Sequence, residues 1–171
     1  MALCVAISTR LPLSAQTVWN GNSTVWNTAG NWSLGLPSAA QAASFGNPSG
    51  GNYNLTFTGA GTALGLTFTN AGTSAYNFNT SGFTLTVDGN GITNNSTFNQ
   101  TFSGTGAVST GATQTWTATS GDLIFNQSTL NINNTLTLTG ANGISVSSTT
   151  ASSANITYTG SGTGANGASF S

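Results

Sequence analysis

The chain has 171 residues, with one Lys or Arg, two Asp or Glu and no His, so charged residues make up 2% of it and the formal net charge is −1. A typical domain is about a quarter charged, and a chain this neutral has no field with which to draw in nucleic acid or anionic lipid. The 37% of apolar residues is patterned along the chain, which argues against disorder, and the Gly, Ser, Thr and Asn that fill most of the rest favour pleated strands joined by tight turns.

Residues 1–16, MALCVAISTRLPLSAQ, differ in character from the rest of the chain. A short apolar run, Ala2 to Ile7, precedes Ser14-Ala15-Gln16, whose small residues suit a cleavage site, so the segment is expected to be a secretory signal peptide. It departs from the usual pattern in one respect: the only basic residue, Arg10, comes after the apolar run. The only cysteine, Cys4, lies in the same segment, so the mature chain would carry no disulfide. No later stretch approaches the roughly 18 apolar residues of a membrane span.

Residues 17–50 form a Trp-rich head. TVWNGNSTVWNTAGNW, from Thr17 to Trp32, holds three of the four tryptophans and no charge. Trp19, Trp26 and Trp32 fit a cap over the apolar end and open strand edges of a stacked fold. The competing reading makes the same three residues an aromatic platform for sugar rings.

Residues 51–171 carry a recurring strand pattern. LTFT occurs at Leu55–Thr58 and again at Leu66–Thr69, with FTLTV at Phe83–Val87, LTLT at Leu136–Thr139, ISVS at Ile144–Ser147 and ITYT at Ile156–Thr159. Apolar residues alternate with Thr or Ser in each, as in a half-buried strand. Leu55, Phe57, Leu66, Phe68, Leu85, Val87, Leu136, Leu138, Ile156 and Tyr158 are expected to point inward, with the intervening threonines facing water. Gly- and Asn-rich turns such as TGAG, TNAG, DGNG and TGANG come after the strands. These patterns predict an all-β fold, either a parallel β-helix (β-solenoid) or a β-sandwich. The similarity of the units and the recurrence of Asn at Asn131, Asn133 and Asn134, which could ladder between rungs, favour the solenoid.

GITNNSTFNQTFSG, and then TQTWTATSGDLIFNQSTLNINNTLTLTGANGISVSS, resemble the autotransporter-associated β-strand repeat family of bacterial surface proteins. The shared elements are Gln114-Thr115-Trp116, Gly121-Asp122-Leu123 and Leu136 to Gly140. The head resembles the opening of such proteins through Trp19, Gly21, Trp26, Asn31-Trp32, Pro37, Ala43 and Phe45. The resemblance implies a right-handed parallel β-helix, exported to the cell surface or outer membrane, with no cofactor and with surface glycans or other cells as partners. The chain ends at GTGANGASFS without a membrane barrel or sorting tail, and is therefore expected to be a fragment or a secreted form.

Catalysis needs groups that titrate, coordinate or attack. Beyond Arg10 the ionisable side chains, tyrosines apart, are Asp88 and Asp122. Neither a Ser-His-Asp triad nor a zinc site can be built from them, and each sits in or beside a Gly turn, so no catalytic or metal-binding residue is assigned and the chain is read as non-enzymatic. DGNG, Asp88 to Gly91, lacks the further oxygen ligands of a calcium loop and reads as a tight turn. GTGANG, Gly162 to Gly167, matches a dinucleotide fingerprint in spacing but lacks the helix and acidic residue that fingerprint needs. Sequons at Asn22, Asn54, Asn95 and Asn155 are expected by chance in such a composition. The Thr-x-Thr pairs suggest an ice-binding face, but the unequal intervals from Leu55 to Leu66 and from Leu66 to Leu85 argue against a regular array. The functional expectation is an exported structural or adhesive solenoid segment. A carbohydrate-binding module using Trp19, Trp26 and Trp32 is the alternative, and an ice-binding solenoid the weaker one.

Overall fold

The computed structural model describes residues 15–152, 155–161 and 168–170. Most of the signal-like segment, with Cys4 and Arg10, and the Gly162–Gly167 motif lie outside the described residues. The described chain is all-β, with a single 3-10 turn at Ala29–Asn31. No helix among the described residues is long and apolar enough to cross a membrane.

The strands stack in parallel, turn upon turn, as a β-solenoid of about six turns with three faces. The first face holds β1 (Ala15–Val18), β2 (Gln41–Phe45), the end of β4 (Gly61–Phe68), the end of β6 (Thr84–Asn94), β9 (Gln114–Ala118), β12 (Leu136–Gly140) and β15 (Ile156–Tyr158). The second is the six-stranded sheet of β3 (Asn54–Thr56), β5 (Asn77–Asn79), β7 (Gln100–Ser103), β10 (Leu123–Phe125), β13 (Ile144–Val146) and β16 (Ala168–Phe170). The third holds the beginnings of β4 and β6, then β8 (Ala107–Thr110), β11 (Thr129–Ile132) and β14 (Thr149–Ser152). Every pairing between these strands is parallel, which excludes the antiparallel β-sandwich.

Period-2 alternation becomes columns once the strands stack in register. On the first face Ala43, Leu66, Ile92, Trp116 and Leu138 lie one above another, facing inward. On the second, Leu55, Phe78, Phe102, Phe125 and Val146 do the same. Phe78 and Phe102 stack with centroids 4.8 Å apart, Phe102 and Phe125 4.7 Å apart. That separation matches the strand spacing of about 4.8 Å, so backbone pairing and ring stacking reinforce each other.

Eight of the ten side chains expected to point inward are buried: Leu55, Phe57, Leu66, Phe68, Leu85, Val87, Leu136 and Leu138. Ile156 is half-buried against the core and Tyr158 is exposed. Tyr158 does pair in register with Leu138, and β15 is the outermost described strand of its face.

Two further expectations need correction. DGNG, expected as a tight turn after a strand, does not end the strand: Asp88 to Gly91 is a corner inside continuous β6, which pairs with β8 before it and β9 after it. Asn131, Asn133 and Asn134 do not ladder on one another either. Asn131 pairs in register with Ser109, while Asn133 donates to Ser109 Oγ (3.1 Å) and Asn134 to the Thr110 carbonyl (3.3 Å). They do tie one turn to the next, but through Ser and backbone partners.

Side-chain amides complete the corners from within. Asn94 is fully buried and donates to the carbonyls of Phe98 (3.0 Å) and Asp122 (3.1 Å). Gln114 donates to the Val87 carbonyl (2.8 Å) and accepts from the Trp116 indole (2.8 Å). Such partners offset the cost of burying polar groups. The corner between the two halves of β6 depends on Gly91, whose φ is +65° and where a Cβ would run into the Thr115 carbonyl of the next turn. Gly91→Ala should therefore destabilise by roughly 2 kcal/mol or more. Gly89→Ala, where a Cβ meets nothing, should stay within about 1 kcal/mol of the parent. Urea midpoints of the two variants check the contrast.

Candidate functional site

The Trp-rich head is built into the stack. Its strands β1 and β2 pair with each other and β2 pairs with β4, so residues 15–50 begin the first face. Ala15 and Gln16, from the expected signal segment, pair with Gln41 and Ala42 in that first pairing. Between the two strands the chain folds back over the end of the solenoid. Val25 bridges in parallel to Thr56, the Trp26 amide donates to the Thr56 carbonyl (2.9 Å), and the Thr56 amide donates to the Thr24 carbonyl (2.8 Å). This satisfies the outer edge of β3. The outer edge of β1 is met by Ser33 to Gly35: Val18 N donates to Ser33 Oγ (2.9 Å), Ser33 N to the Val18 carbonyl (2.9 Å), and Thr17 Oγ1 to the Gly35 carbonyl (3.0 Å).

The three indoles seal what these bonds enclose. Trp19, Trp26 and Trp32 are 1%, 1% and 4% exposed. Trp32 packs edge-on against both others, with centroids 5.0 Å from Trp19 and 4.8 Å from Trp26. Trp26 stacks on Phe57 at 5.0 Å. The Trp19 indole donates to the Asn52 carbonyl (2.8 Å) and that of Trp32 to the Trp26 carbonyl (2.9 Å). Stacking by a sugar on any of the three would require the head to open. Beside them Tyr76 donates to the Gly46 carbonyl (2.9 Å); burial, and to a lesser degree the neighbouring Tyr53, push its phenol well above the usual tyrosine range, so it remains a neutral donor.

The two carboxylates do not meet. Asp88 lies at the corner from third face to first, Asp122 at the corner from first to second. Asp122 Oδ1 accepts from Gly143 N (2.8 Å), one turn on, and so pins neighbouring turns together.

Sequence reasoning missed the relation between the Thr-x-Thr pairs. Leu55, Leu66 and Leu85 belong to the second, first and third faces, so the intervals between them are not rung spacings. Residues that pair on neighbouring turns stand 20 to 26 positions apart, with the variation taken up at corners. On the outer side of the first face, Thr115, Thr137 and Thr157 form one rank, and Thr67, Thr93, Thr117 and Thr139 form a second. The signal was present in TWT, TLT and TYT, and became legible only with the register. Comparison with known protein families, with curated proteins and with solved structures finds no match.

Proposed function

We propose that the chain is a non-enzymatic, exported β-solenoid segment that provides structural display or adhesion at a bacterial surface. The observation that carries this reading is the division of side chains in the stack. All four tryptophans are buried, and uncharged Thr, Ser and Asn make up much of the outward surface. A long, neutral, hydroxyl-rich surface on a repetitive frame suits extended contact or spacing more than a concave reaction site. The resemblance to the autotransporter-associated β-strand repeat points the same way, since Gln114-Thr115-Trp116, Leu123 and Leu136 to Gly140 fall on strands of the stack.

Surface staining of intact source cells with an antibody to this segment tests the proposal. Staining without permeabilisation is the expected result, and signal confined to permeabilised cells would overturn it. The non-enzymatic element has its own check. Asp88→Asn with Asp122→Asn should leave any adhesive activity unchanged, and the loss of a glycan-cleaving activity in the double variant would contradict it. The sugar-platform reading predicts that Trp26→Ala stays folded and loses glycan binding. Burial against Phe57 predicts instead a loss of roughly 3–5 kcal/mol of stability.

A further inference from the structure

We propose that the outer side of the first face, over β9, β12 and β15, is an ice-binding surface. The inference does not depend on export or on adhesion. It rests on a two-dimensional array. Thr115, Thr137 and Thr157 pair directly in register, and so do Thr117 and Thr139, giving two adjacent ranks separated by the inward Trp116 and Leu138. Parallel strands set the repeat along a rank at about 4.8 Å, and the i, i+2 step sets the distance between ranks at about 6.6 Å. Both lie close to oxygen repeats on the surfaces of hexagonal ice.

Three properties suit these threonines to ordering water as a lattice. β-Branching restricts χ1, so each hydroxyl and methyl is held in place. None of the five hydroxyls is engaged by another group among the described residues, in contrast with Thr17, Thr80 and Thr110, which bond to the chain itself. The outward positions along this face also carry no charge, so no side chain imposes its own tightly held hydration shell. Beneath the array, Trp116 stacks on Phe125 at 4.6 Å and its indole is fixed by Gln114, which stiffens the strand that bears Thr115 and Thr117.

The other faces lack this arrangement. On the second, the outward column runs Asn54, Asn77, Thr101, Ile124 and Ser145. On the third, the pair Thr62 and Thr86 gives way to Ser109, Asn131 and Ala151, and in the neighbouring rank Ala107 separates Thr84 from Thr129 and Thr149, so threonines never stand side by side in both ranks over successive turns. A regular Thr lattice is therefore a property of one face and does not arise from the composition alone.

The test is partition of the full chain into slowly growing ice. The parent should be enriched in the ice fraction several-fold over an inert protein of similar size. Thr115→Tyr and Thr137→Tyr each place a ring across the array and should return that fraction to background. Thr101→Tyr, an equivalent change on the second face, should leave it at the parental level. Thr115 is exposed, so its variant remains decisive if Thr137→Tyr melts early by circular dichroism. Exclusion of the parent from ice would overturn the proposal, as would equal loss in the Thr101 and Thr115 variants. Binding to crystalline cellulose combined with exclusion from ice would also overturn it, and would assign the face to an ordered polysaccharide instead.

Discussion

Leu138→Asp should lower the free energy of unfolding by roughly 4 kcal/mol, whereas Thr137→Asp should cost less than about 1 kcal/mol. The two residues are adjacent in β12, and only the pleat separates their fates. Leu138 is 1% exposed and lies in the inward column beside Trp116, while Thr137 is outward between Thr115 and Thr157. An aspartate at Leu138 either stays ionised without a partner in an apolar stack or takes up a proton to enter it, and both cost stability. The change also removes most of the side chain that fills the space between turns. For a chain of this length the Leu138→Asp loss corresponds to roughly 8–16 °C in melting temperature. A solenoid turn contacts mainly its neighbours, so the loss should also separate the turns on either side of β12 and broaden the transition. Equal melting temperatures for the two variants would place the register wrongly by one residue.

That register is legible wherever a strand carries two apolar residues with Thr or Ser between them. All six such segments overlap a strand, and their inward sides agree except in β15, where Ile156 is half-buried and Tyr158 exposed. The strands that escape notice have weaker local patterns. β5 is Asn77-Phe78-Asn79, with one apolar residue, and β8 is Ala-Val-Ser-Thr with all four residues buried. In each case the strand owes its form to pairing with the turns on either side, a non-local cause that no short window contains. The same limit explains the Thr ranks. Each Thr-x-Thr pair is visible alone, but which pairs share a face depends on how many residues each corner absorbs. Asn94, Gln100 and Gln114 make the point from the other side: as polar residues they read as turn or surface, yet they lie within the stack because carbonyls freed at its corners need donors.

Deleting residues 15–40 should make the chain aggregate or form filaments. The sequence predicts that the head is a cap, and the geometry states what it covers. Its removal strips β1 from β2 and the Thr24–Trp26 segment from β3, so two faces would present unpaired N–H and C=O groups at the same end. It also removes Trp19, Trp26 and Trp32 from above Phe45 and Phe57, leaving an apolar floor open to water. Parallel edges of this kind template further pairing, and with two carboxylates and one basic residue in 171 the chain has almost no charge with which to oppose it. The expected result is a rise in light scattering at concentrations where the parent stays clear, with β-rich circular dichroism retained. Trp26→Ala should move the chain part of the way, since it opens the aromatic floor but leaves both edges paired. If the deleted form stayed monomeric and β-rich, the edges of β2 and β3 would not need the head, and the three tryptophans would require a different explanation.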